Sequence, residues 1–208
     1  MKVEKVFPPD VTMVCKLSKE GIITFVNQAY EQITGYSPSE LIGNSHEVIQ
    51  DPELPKVVQD KVWQLINQGK HTYFVSRNLT KNNEFFWTVA DIHSKIHEGR
   101  RTAIFIRRKF LPYELRLEFE KLYDTLHEIE TKGGGVETAR RYFDGWLEDR
   151  NSKFGEYIVR RFGGEDKIRE YMTSEVPDEE LFKVDVNEMK IDEILKTLKK
   201  KKRFFGLW

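Results

Sequence analysis

The chain has 208 residues, with Lys plus Arg and Asp plus Glu both at 34, so its formal net charge is zero and no whole-molecule field draws it to nucleic acid. Its single cysteine, Cys15, excludes an internal disulfide and any C-x-x-C metal or redox pair, and fits a reducing compartment. No apolar run approaches the roughly 18–20 residues of a membrane span, and MKVEKVFPPD lacks the hydrophobic centre of a signal peptide, so a cytoplasmic location is expected.

Residues 1–11 read as an N-terminal cap. TMVCKLSKEGIITFVN, residues 12–27, then gives two β-rich runs about Lys19, Glu20 and Gly21, a hairpin in which Gly21 takes the positive φ of a tight turn. Cys15 lies in an apolar strand run and reads as a small buried hydrophobe. In NQAYEQITGY, Ala29, Tyr30 and Ile33 fall at helical spacing, and Gly35 stands where a helix C-cap wants glycine. The next stretch is chopped by Pro38, Gly43, Pro52 and Pro55 into fragments too short to persist as isolated helices. From Pro55 the positions Val57, Val58, Val62, Leu65 and Ile66, with Trp63, repeat at helix period until Gly69. HTYFVSRNLT, EFFWTVADIHSKI and RRTAIFIRRKF, joined by short polar turns, read as three strands of an antiparallel meander. Residues 12–110 are therefore an α+β domain, a five-stranded antiparallel sheet with short helices on one face.

An all-α region follows. Residues 111–131 form an exit helix in which Leu115, Phe119, Leu122, Leu126 and Ile129 step by four, three, four, three. That heptad seam suits a homodimer contact or packing inside the chain. Gly133, Gly134 and Gly135, in 132–135, read as a hinge because glycines resist a fixed helical state. Residues 136–190 read as a small helical region with stripes at Val136, Ala139, Phe143, Trp146 and Leu147, then Phe154, Tyr157, Ile158 and Phe162. Residues 191–208 form a basic amphipathic tail. Its Lys199–Arg203 cluster beside Phe204, Phe205, Leu207 and Trp208 suits a solvated end, a docking peptide for a protein partner, or a membrane-surface contact.

ITFVNQAYEQITGYSPSELIG and NSHEVIQDPELPK resemble a PAS domain, and more narrowly the FAD-binding sensor domain of bacterial aerotaxis receptors, over 12–110. The matching residues are Asn27, Gly35, Tyr36, Leu41, Gly43, His46, the D-P-E-L-P run, Asn78, Lys81 and Trp87. The resemblance implies that the broken segment faces a cofactor pocket, that Asn27 and Asn78 hydrogen-bond a flavin ring, and that Trp87 packs beside it. Asn27 also sits where an N-cap belongs. His46, Gln50 and Asp51 complete the implied cofactor-binding set. Where the flavin-binding relatives carry an arginine-histidine pair, this chain has Gln50 and Asp51, one neutral and one repulsive to a diphosphate. FAD is the implied cofactor, with haem, another small ligand or none as alternatives. Haem would need an inward-facing histidine, for which His71 and His93 on strands are candidates. No metal site is read, the His93-to-His97 spacing spanning a strand and its turn. Nothing pairs a nucleophile with a base, so no catalysis is expected, and the resemblance implies a sensor of redox state or oxygen whose output passes to a signalling partner. A ligand-free PAS-like dimerisation scaffold is the alternative.

Overall fold

The computed structural model describes residues 3–98 and 100–173. The basic tail and residues 174–190 of the helical region lie outside the described residues.

Five antiparallel strands, β1 (Met13–Ser18), β2 (Ile23–Val26), β3 (Thr72–Leu79), β4 (Phe85–His97) and β5 (Arg100–Phe110), lie in the order β2-β1-β5-β4-β3. Between β2 and β3 run α1 (Gln28–Thr34), α2 (Pro38–Leu41), a 3₁₀ turn (His46–Ile49) and α3 (Lys56–Asn67). The prolines and glycines of this stretch act at its joints. Gly35 ends α1 in the left-handed region at φ 76° and returns its N–H to the Glu31 carbonyl, and Pro38 opens α2 at its first turn. After β5 come α4 (Tyr113–Thr131), α5 (Gly135–Glu148), α6 (Phe154–Arg161) and α7 (Glu165–Met172).

Alternation along the strands gives the sheet two faces with different tasks. Cys15, Leu17, Phe74, Ser76, Asn78, Ile92, Ile106 and Arg108 point to the inner face, covered by α1 to α3. Val75, Arg77, Phe85, Trp87, Asp91 and His93 alternate with these and point to the outer face. Helix α4 packs there, with Tyr123 against Trp87 at 5.7 Å between ring centroids and the Arg116 guanidinium over Phe85 and Trp87. The edge strand β3 is also covered: the Tyr123 hydroxyl donates to the Val75 carbonyl at 2.6 Å, and Gln50 bridges to Asn78. Both contacts block the free edge as a template for another strand.

The heptad seam is spent within the chain. Phe119, Leu122 and Leu126 are buried and Leu115 and Ile129 pack against the same core, Phe119 meeting Tyr123, Phe154 and Tyr157. A homodimer through these five residues would require the core to come apart, so that reading is corrected. The glycine run read as a hinge is an exposed turn between α4 and α5. Gly133 and Gly135 take φ of 107° and 68°, which folds α5 back onto α4 over three residues. The N-terminal cap is a strap: Lys5 N–H donates to the Phe85 carbonyl, Glu4 pairs with Arg116, and Phe7 is buried against Phe86 and Phe110.

Candidate functional site: a polar-lined cavity under the sheet

Between the inner face and the broken segment lies a cavity in which the space open to the centre of a water molecule is about 40 Å³. Leu17, Phe74, Ile92 and Ile106 floor it, Ile49 and Leu54 from the broken segment and Val62, Trp63 and Ile66 from α3 wall it. Short helices interrupted by prolines leave side chains aimed at a hollow that one continuous helix would fill.

The polar lining is His46, Gln50, Gln59, Ser76, Asn78 and Arg108. Asn78 Nδ2 donates to Ser76 Oγ at 3.2 Å and Thr88 Oγ1 at 3.1 Å, which fixes its amide on the floor. The His46 ring is held by the Gly21 carbonyl at 3.2 Å from Nδ1 and by an edge-to-face contact with Trp63. Burial lowers the His46 pKa from its ordinary 6.5, and the Arg108 charge lowers it further against the opposing pull of the Gly21 carbonyl.

Arg108 is 5% exposed. Its Nη1 donates to the Cys15 thiol at 3.4 Å and its Nε has no hydrogen-bond partner among the described residues. No carboxylate of the described residues pairs with it. A thiol is a weak acceptor, so this is a buried guanidinium whose charge the surrounding side chains leave nearly uncompensated.

Three of the six expected cofactor-binding residues, His46, Gln50 and Asn78, meet at the cavity, and three do not. Asn27 is the N-cap of α1: its Oδ1 accepts from Val14 N–H at 2.9 Å and Tyr30 N–H at 3.1 Å, and its Nδ2 donates to the Thr12 carbonyl at 2.9 Å. Its amide is used by the backbone, which corrects the expected ligand role. Trp87 is corrected by strand parity, because it pairs with Arg77 between the inward Ser76 and Asn78 and so faces α4. Asp51 is fully buried but bound to Arg77, Nε to Oδ2 at 2.8 Å, and accepts Glu53 N–H. Its charge is answered locally and does not repel a ligand. His71 and His93 lie with Asp91 on the outer side, away from the cavity, which removes them as haem ligands.

Sequence reading passed over Arg108. The signal was present: in RRTAIFIRRKF the inward series Ile104, Ile106 continues by twos to Arg108, so one cation of an otherwise outward cluster turns inside.

The lowered His46 pKa sets a sign for stability. The unfolded chain binds this proton more readily, so folding stability falls as pH drops below about 6.5 and continues to fall until the depressed folded value is passed. His46→Gln is expected to flatten the fall in the urea midpoint between pH 7 and 5 relative to wild type; parallel curves would refute a buried, neutral His46.

Residues 23–102 match the family model described as PAS fold, and over that stretch the chain is a PAS domain. A bacterioopsin transcriptional activator of Halobacterium salinarum is 26% identical over 179 residues, covering 80% of this chain and 27% of that protein. The Escherichia coli aerotaxis receptor is 25% identical over 122 residues, 59% of this chain and 24% of the receptor. The chain thus spans about a quarter of the length of these curated relatives. Among solved structures, the light state of the blue-light photoreceptor Aureochrome1 LOV aligns with 52% of this chain and 89% of its own, at 17% identity and a TM-score of 0.48. Among the described residues no helix is long and apolar enough to cross a membrane.

Proposed function

We propose that this chain is a cytoplasmic sensory module whose PAS cavity holds a small ligand with an anionic oxygen group on Arg108, and that α4 passes occupancy to a signalling partner. The observation that carries this reading is the buried guanidinium at the cavity, answered among the described residues only by a thiol. A carboxylate or similar group would give it a charge-assisted pair, while the Asn78 amide and the neutral His46 ring hold the remainder of the molecule.

The route outward is structural. Pro55 cannot cap α3 with a side chain, and the Glu130 carboxylate of α4 does so, accepting Lys56 N–H and Val57 N–H at 2.9 Å each. The carboxylate also meets the positive end of the helix dipole. Helix α3 is a wall of the cavity and α4 leans on the far face of its floor, so a ligand that moves the wall acts on α4 at both points. A change in α4 then reaches α6 through Glu118, which pairs with Arg161 at 3.0 Å and with the Tyr157 hydroxyl.

A redox or oxygen sensor built on flavin is the second reading, favoured by the amides of Gln50 and Asn78 in the lining and by similarity to an aerotaxis receptor. Absorption spectra and native mass spectrometry of the freshly purified chain decide between the two. The first reading expects an acid-releasable small mass without visible bands, absent from Arg108→Met. Flavin bands would carry the second. A mass equal to that of the sequence alone, from protein purified under several growth conditions, would defeat both.

A further inference from the structure

The outer face of the sheet carries a second cluster that the cavity does not use. Asp91 and His93 are two apart on β4 and so share one face. Thr72 pairs with Ile92, which brings His71, just before β3, across from His93. The two imidazoles stack at 4.2 Å with 15° between their planes. Both Nε2 atoms converge on one atom, Asp91 Oδ1, at 2.6 Å from His71 and 2.8 Å from His93. Asp91 is itself 6% exposed, while the two histidines are about 40% exposed. The three ligand atoms lie within 4.8 Å of one another.

We propose that His71, Asp91 and His93 form a binding site for a divalent transition ion of the zinc class. Two neutral imidazoles and one carboxylate on one side of a point are a donor set that such ions accept, with the remaining positions left to water or a further ligand. Metal–ligand bonds near 2.0–2.2 Å need donors about 3.4 Å apart, so the present hydrogen-bonded contacts open by less than about 1 Å on loading. Half-exposed histidines make that adjustment by a small rotation. The carboxylate already carries charge: burial pushes its pKa up, but the hydrogen bonds of His71 and His93 outweigh burial and hold it well below the usual carboxylate range.

The surroundings both compete and assist. Arg107 stands across from Asp91 on β5, a cation on the same face, and Tyr73 stands across on β3. Tyr73 packs its ring edge on His71 at 4.9 Å. The Tyr73 phenol is pushed up to about 12, by burial first, then by Asp91 and by Glu165. Glu165 opens α7, so a carboxylate of the C-terminal helices is near enough to act on this cluster. Ion binding would therefore fasten the start of β3 to β4 beside α7, at a place separate from the cavity.

The test uses the full untagged chain, stripped with a chelator and titrated with cobalt(II), with zinc in competition. Wild type is expected to take one equivalent, with visible ligand-field bands that zinc abolishes and a melting temperature raised by zinc. His71→Ala and His93→Ala should each weaken cobalt binding by more than the roughly 10–100-fold that changes outside the ligand set cost. His46→Gln and His127→Gln should bind as wild type does. If the stripped wild type binds cobalt no more tightly than the His71→Ala/His93→Ala double variant, with both folded by circular dichroism, the cluster is only a hydrogen-bonded pair of histidines and the proposal fails. That failure would leave the cavity reading untouched, because no cavity residue is shared.

Discussion

Phe119→Ala is expected to lower the unfolding free energy by about 3–5 kcal/mol, the range for removing a fully buried phenylalanine. Phe119 has no exposed surface, and its ring meets Tyr123 of α4 and Phe154 and Tyr157 of α6 edge-on at 6.2–6.5 Å. The cost is a large share of the 5–15 kcal/mol that holds a typical domain together. Leu117, two residues away and 54% exposed, is the control: Leu117→Ala should stay within about 0.5 kcal/mol of wild type. Urea denaturation of both variants checks the pair. A small loss at Phe119, or a concentration-dependent midpoint in the wild type alone, would return the seam to an intermolecular role.

Arg108→Met is expected to act with the opposite sign on stability. A buried guanidinium answered by one thiol has lost its hydration for little return, and methionine replaces its length without the charge. The ligand-free protein should gain on the order of 1–3 kcal/mol. Retention of the small anionic ligand should disappear in the same variant. Stability and binding thus move apart at a single residue, as expected where a group is kept for recognition and not for the core. A variant destabilised as strongly as a broken buried ion pair, on the order of 3–5 kcal/mol, would show that Arg108 is structural.

Local signals were strong in this sequence. Helix α1 runs from the Asn27 cap to the left-handed Gly35, and α3 starts after Pro55, as read from residue type and spacing alone. The three-strand meander and the α+β layering were equally plain, because strand and helix periods differ. What spacing does not carry is which face of a strand looks inward when both are apolar. Trp87 and Phe86 are both nearly inaccessible, so no alternation of polarity marks the pocket side, and the face followed only from pairing with β3. The heptad seam of α4 left two covers open for a related reason. Periodicity reports that a face will be covered, not by what, and here the cover is the chain's own sheet and helices. The glycine run was read through its entropy, whereas two positive φ values in a tight turn are the property used. Arg77 beside Asp51 could not be foreseen, since 26 residues separate them and only the bridge from 50–51 to β3 joins them.

The central claim is that the contents of the cavity set the state of α4 through the Glu130 cap on α3 and the Tyr123 contact with β3. Hydrogen exchange read by mass spectrometry over 55–60 and 113–131 tests it most directly, comparing ligand-bound wild type, Arg108→Met and Glu130→Gln. Emptying the site through Arg108→Met should change protection in both segments together, and Glu130→Gln should change α4 without loss of ligand. Identical protection of 113–131 in bound wild type and Arg108→Met would contradict the claim, whatever the cavity holds.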